Sequence, residues 1–219
     1  MSLSASPRLV KGGLVVLAPG GLTAQRTIAL QYNPETLTRS YQVQGVGGDG
    51  GGERAQPFRL KGPAIESIKL DAEIDATDAL QHPDQHASVV QLGIAPQLAL
   101  LEALVNPSVD ELQQLAAQSD AGTLEILPPE APLVLFTWGR QQVAPVRVTE
   151  FTVIEEAFDP ALNPLRAKVS LGLRVLSTDD LGFRARGSAL FLHHLRTREA
   201  LAAQAVGATL GALGLDALP

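Results

Sequence analysis

Apolar and polar residues alternate most regularly between Val146 and Leu176, VRVTEFTVIEEAFDPALNPLRAKVSLGLRVL, and this pattern predicts a long β-hairpin. In its second arm Ala167, Val169, Leu171, Leu173 and Val175 share one face, with Lys168, Ser170, Gly172 and Arg174 on the other. That is the period of two of a half-buried strand. In the first arm Val146 and Val148 lie on one parity and Phe151 and Val153 on the other, so the phase slips by one residue near Glu150. A β-bulge produces such a slip. The intervening FDPALNPLR holds Asp159-Pro160 and Asn163-Pro164, turn dipeptides whose prolines restrict the preceding residue and cannot donate to a ladder.

Shorter strands are predicted elsewhere. KGGLVVLAP reads as an apolar strand ended by Pro19-Gly20-Gly21, and RTIALQY places Ile28, Leu30 and Tyr32 on one face. TLTRSYQVQG sets Leu37, Tyr41 and Val43 inward, with Arg39 the one charged residue on that parity, and the NPE turn before it predicts a hairpin with RTIALQY. AIESIKLDAEID turns Ile68, Leu70, Ala72 and Ile74 inward and Lys69, Asp71, Glu73 and Asp75 outward, an acidic row suited to a solvated face or the wall of an aqueous channel. LVLFTWG puts Val134, Phe136 and Trp138 on one face.

Helical spacing is confined to two places. In GIAPQLALLEALVNP the residues Leu98, Leu101, Leu104 and Val105 recur at helical intervals, and Ser108 with Glu111 forms the capping box of a second helix, SVDELQQLAAQ. ALFLHHLRTREALAAQ reads as a C-terminal helix fraying into a small-residue tail, preceded by STDDLGFRARGS as a loop. The fold class expected is therefore mainly β within an α+β chain: a sandwich or barrel with a helical insertion near 94–118 and a C-terminal helix.

Composition narrows the chemistry. The 219 residues suffice for a sizeable core in one domain, and the absence of cysteine excludes disulfides, thiolate metal sites and cysteine nucleophiles. No apolar run reaches the span of a bilayer and MSLSASPRLVKGG lacks a signal-peptide core, so a cytoplasmic location and no membrane insertion are expected. A net charge of -6 argues against general nucleic-acid affinity. The one dense basic group, Arg184, Arg186, Arg196 and Arg198, is interrupted by Gly187 and an apolar run, and reads as a solvated face or a subunit contact.

The motifs that could carry chemistry fail on mechanism. Gly45, Gly47 and Gly50 match a dinucleotide fingerprint formally, but ERAQPFRLKGP follows where a helix would have to open. A flexible hairpin tip or interface loop fits GVGGDGGG better. His82 and His86 have ligand spacing with Pro83 between them and no adjacent Glu base, and read as an exposed loop. His193 and His194 diverge by about 100° on a helix, giving one packing and one exposed ring. Glu155 and Glu156 point to opposite faces of a strand, which denies them paired-carboxylate geometry. No catalytic, cofactor or metal residues are assigned, and no cofactor is expected.

Taken in order, LVVLAPGGLTAQRTIALQYNPETLTRSYQVQG, LGIAPQLALLEALVNP, LFTWG and VRVTEFTVIEEAFDPALNPLRAKVSLGLRVL resemble the tube-type domain of contractile injection systems over Val10 to Leu176. These are phage-tail-like particles, and the family resembled is the adaptor or tube-initiator protein at their baseplate. It implies a tail-tube-type β-sandwich or barrel assembling as a hexameric ring between the spike hub and the inner tube, continuing its lumen. Partners would be five further copies, the hub, the inner tube protein and baseplate wedge or sheath components. Edge-to-edge hairpins would close the ring and remove exposed strand edges. Gly47, Gly48, Asp49, Phe158, Asp159, Asn163 and Arg166 are the candidate intersubunit residues. Residues 1–9 are expected as an arm, 10–188 as the tube-type domain and 189–219 as a helical tail. Some members of the family carry a lysin-motif domain where this chain has that Ala/Leu/Gly-rich tail. A small-ligand-binding β-barrel is the competing reading.

Overall fold

The structure is a computed structural model and describes residues 9–18, 23–45, 59–120, 131–182 and 184–216. Seven antiparallel strands form one sheet: β1 (Gly13–Leu17), β2 (Ala24–Ala29), β3 (Leu37–Gln42), β4 (Ile65–Asp75), β5 (Val134–Thr137), β6 (Val143–Phe158) and β7 (Pro164–Val175), in the order β2-β1-β5-β6-β7-β4-β3. The helices are α1 (Thr77–Leu80), α2 (Ala87–Leu92), α3 (Ala95–Glu102), α4 (Val109–Asp120), α5 (Thr178–Leu181) and α6 (Arg186–Ala203). The chain is thus α+β and mainly β in its core, as its periodicity predicts.

The long hairpin is β6–β7. Ala167, Val169, Leu171, Leu173 and Val175 are all buried, and the phase slip in β6 is a bulge: Val148 pairs with Leu173 and Glu150 with Gly172, leaving Thr149 as the extra residue. Because of that insertion Phe151 and Val153, on the opposite parity to Val146 and Val148, still face the core opposite Leu171 and Val169. Further irregularities fall at Glu155/Ala157 and Ala157/Phe158. Gly172 accommodates the bulge, since a Cβ there would lie 2.8 Å from Glu150 Cβ. Lys69 reaches across the bare glycine to Glu150, Nζ to Oε2 2.7 Å.

One strand pairing departs from expectation. β2 and β3 do not form a hairpin across Asn33-Pro34; they sit at opposite ends of the sheet, β2 on β1 and β3 on β4. Asn33 does not close a turn but ties this segment back to the start of β1, accepting from the Gly12 amide and donating to the Val10 carbonyl. The sheet is not closed by a β2–β3 ladder, so a barrel in the strict sense is not what forms. It is nevertheless strongly curled. Gln31, just past β2, donates to the Asp75 carbonyl (2.8 Å) and accepts from the Asp75 amide (3.0 Å) at the end of β4. In a flat sheet five strand spacings would hold those residues about 24 Å apart.

Inside the curl, Leu14, Ile68, Phe136, Val146, Val169 and Leu173 pack with Leu98, Leu101 and Phe191 from the helices. The insertion is more broken than its sequence suggests. Thr77–Leu80 and Ala87–Leu92 are short helices, with a 3₁₀ turn at Pro83–Gln85, where a loop is expected. The predicted first helix is only Ala95–Glu102, Leu104 and Val105 lying beyond it. Ser108 and Glu111 form the expected capping box, the Ser108 amide donating to Glu111 Oε2 and the Glu111 amide to Ser108 Oγ. STDDLGFRARGS is likewise not all loop: Ser177 and Asp180 cap the short α5 reciprocally, and Arg186 already belongs to α6.

Candidate functional site

Three features of the described residues could serve function: the far half of the hairpin, its polar face, and a buried polar cluster beneath α6. The hairpin comes first. β5 pairs with β6 only from Val143 to Val146, whereas β7 pairs with β6 almost to the tip. From Arg147 to Phe158 the other edge of β6 therefore carries no ladder among the described residues. Ile154 and Phe158 on this stretch are about half exposed. Free backbone donors and acceptors along an extended, partly apolar strand are a template for strand addition.

At the tip, the predicted site residues divide. Asp159 and Asn163 come together: Asp159 Oδ1 accepts from the amides of Ala161 (2.7 Å) and Asn163 (2.8 Å), and Oδ2 from the Asn163 side chain (2.8 Å). The Asn163 bonds, with the Ala161 amide, hold the Asp159 carboxyl below its ordinary range. Asn163 also donates to the Gln91 carbonyl, and the Ile94 amide donates to that of Pro164. This docks the loop on the helical insertion. Gly93 makes the approach possible, with φ +57° and only 2.0 Å between an added Cβ and Pro164 O. Arg166 lies apart from that pair, its Nε 2.8 Å from Asp75 Oδ2. Phe158 projects into solvent. Gly47, Gly48 and Asp49 lie outside the described residues.

The outward face of β4, β7 and β6 is less acidic than β4 taken alone suggests. Lys168 stands opposite Glu73 and 3.0 Å from Glu156, Arg166 holds Asp75, Lys69 holds Glu150, and Ser170 donates to Asp71. Neighbouring strands supply the counter-charges that a single-strand reading omits. These exposed pairs add little stability. Their effect is to leave a polar face of alternating sign on which Lys69, Arg166 and Lys168 partly offset the carboxylates.

Sequence reasoning missed the third feature. Glu66 is 4% exposed and His194 2% exposed. Arg198 Nη2 lies 2.8 Å from Glu66 Oε1, Tyr41 donates to the same oxygen at 3.0 Å, and the guanidinium stacks over the Tyr41 ring. Burial opposes ionisation of Glu66, but His194, Arg198 and Tyr41 outweigh it and keep the carboxyl below its usual range. The signal was parity: Glu66 stands two residues before Ile68, on the inward side, and pairs with inward Tyr41. His194 is the packing histidine and His193 the exposed one, as their divergence predicts. His82 and His86 are exposed on either side of the 3₁₀ turn.

The fold is a curled, mainly β antiparallel sheet whose long hairpin has an unpaired edge among the described residues. The family described as contractile injection system tube protein matches residues 20–183, most of the chain, and the chain belongs to that family. Among curated proteins no sequence match is found. The family is one of structural components that assemble with other parts of a phage-tail-like particle. No helix among the described residues is long and apolar enough to cross a membrane.

Proposed function

We propose that this chain forms a hexameric ring at the baseplate, joining the spike hub to the inner tube and continuing its lumen, with no catalysis of its own. The observation that carries the reading is that, among the described residues, the edge of β6 from Arg147 to Phe158 is unpaired and the sheet's opposite margin, β3, is also paired on one side only. Two such margins on one subunit allow head-to-tail strand addition, which closes when the rotation per subunit closes. The polar face of β4, β7 and β6 would then border the channel. Wedge or sheath components would contact the outside, and assembly would take place in the cytoplasm. The inside of the sheet is filled by Leu14, Ile68, Phe136 and Leu173, so no observation specifically favours a small-ligand barrel.

Light scattering after size exclusion, with and without the hub and tube proteins, tests the ring. Six-fold rings in negative stain are expected once partners are present; a chain that stays monomeric with both partners would overturn the reading. The glycine run enters as a proposed interface loop. Deleting residues 47–52 is expected to leave the melting temperature within about 2 °C, a change of under ~0.5 kcal/mol, while weakening ring formation.

A further inference from the structure

Arg39 is the one charged residue on the apolar parity of its strand, β3, the margin offered above to a neighbouring subunit, and no ion pair within the described residues accounts for it. The structure places it on the wall of a cleft of about 180 Å³ between β3, the β5–β6 turn and α6, with Gln141, Gln142, His194, Thr197 and Arg198. The three α6 residues recur at intervals of three and four and so share one helix face. None of these residues belongs to the free edge of β6.

The charges do not cancel. Glu66 is engaged by Arg198 and Tyr41, which leaves the Arg39 guanidinium without an ion-pair partner among the described residues. His194 Nε2 is buried and faces Glu66 Oε2 at 3.6 Å, close enough to favour the carboxylate but too long for a well-formed hydrogen bond, and it has no other polar partner among the described residues. Trp138 packs edge-on against the ring at 5.9 Å and holds it there, while Phe136 stacks on Trp138. The Arg39 guanidinium, with Gln141, Gln142 and Thr197 beside it and Leu201 and the Glu66-bound Arg198 as further walls, thus lines a small, largely polar hollow backed by the buried His194 ring.

We infer that this cleft is a carboxylate-binding site, Arg39 clamping the ligand in a charge-assisted pair with Gln142 and Thr197 beside it. Arginine is suited to this because its planar fork matches the two carboxylate oxygens. The volume admits a carboxylate with a few carbons, the size of an acidic side chain or a small free acid.

The full chain, labelled with ¹⁵N in histidine, is titrated with N-acetyl-glutamate while the His194 ring resonance is followed. A saturable shift is expected, weakened roughly tenfold or more in Arg39→Ala, the effect of losing a charge-assisted pair. Arg140→Ala, which removes an exposed charge from the neighbouring turn, should bind as the parent does. A second series raises the protein concentration with no added acid. A His194 shift in that series identifies the ligand as an acidic side chain of a second copy; a shift only with the added acid identifies a small free carboxylate. No saturable shift in either series, or the same affinity in Arg39→Ala, overturns the site. Arg39 is exposed and unpaired, so loss of folding does not confuse the result.

Discussion

The two ends of the β6–β7 hairpin are built from the same alternation but live in different surroundings. Near Val146 and Val175, β6 is paired on both sides, by β5 and β7, and α6 lies across it. Toward Phe158 the strand keeps β7 alone and its other edge is bare among the described residues. The covered end can therefore bury a carboxylate and an imidazole, because helix and sheet together exclude water and supply Arg198 and Tyr41. Toward the open end the pairs Lys69–Glu150, Lys168–Glu156 and Arg166–Asp75 lie at the surface, each with at least one well-exposed partner. Shielding, rather than the strand pattern, separates the part that holds the subunit together from the part available to partners.

The largest effect is expected where both neighbours of a strand are present. Leu171 is 2% exposed between β4 and β6, and Leu171→Asp would bury an unpaired charge at a cost of several kcal/mol. Abolished folding is expected, read as loss of the near-UV signal and of a cooperative melt, and Val169→Asp should match it. Cooperative unfolding of either variant would mean that β7 is not the spine shared by both ends.

The bulge joins the two ends, and shifting the register beyond it tests that joint. Inserting one alanine between Glu150 and Phe151 puts Phe151 and Val153 on the outward parity, because a one-residue slip reverses every side chain beyond it, whereas deleting the extra residue Thr149 would leave both inward. Both are partly buried against the core, so a loss of about 2–4 kcal/mol is expected in urea unfolding. If stability is unchanged, the far half of β6 does not contribute to the core.

That bulge was legible in the sequence because Phe151 and Val153 break a pattern that Ala167 to Val175 keep without a fault. The curl of the sheet was not. Asn33-Pro34-Glu35 looks like a hairpin turn, and nothing local reveals that Asn33 bonds back to Val10 and Gly12 while Gln31 reaches Asp75. Long-range pairing by side-chain amides leaves no period. Of the candidate interface, the Asp159 and Asn163 loop was legible from its turn residues, whereas Glu66 was hidden among the acidic residues of its strand, although its parity alone set it inside. The counter-charges on the outer face were hidden for a related reason: Lys168 and Arg166 are about ninety residues away in sequence from the acids they offset on β4.

The covered end makes a pH prediction. The Glu66 carboxyl is held below its ordinary range in the folded chain, despite burial, by His194, Arg198 and Tyr41. A lowered folded pKa adds stability that is present above the unfolded value of about 4.3 and lost as pH falls through the folded one. Glu66→Gln should cost roughly 1.5–3 kcal/mol at pH 7, the range for a hydrogen bond to a charged group. Its urea midpoint should converge on that of the parent as the pH drops below about 4. A gap that stays constant across the acid range would show that packing, and not the charge, is what Glu66 contributes.

The open end should give the smallest effect on the isolated chain and a large one on assembly. Ile154 is 54% exposed and stands opposite Lys168, so an aspartate there meets water and a cation rather than the core. Ile154→Asp is expected to change stability by no more than about 0.5 kcal/mol. In a ring closed along β6 the same substitution sets a charge into the subunit contact, where desolvation without a partner is costly. Thermal melts of the isolated chain and ring counts in negative stain with hub and tube present separate the two readouts. An unchanged melt with few rings places the contact at this end of the hairpin. Undiminished rings would move the contact off the bare stretch of β6, and a collapsed melt would mean that the stretch is not bare.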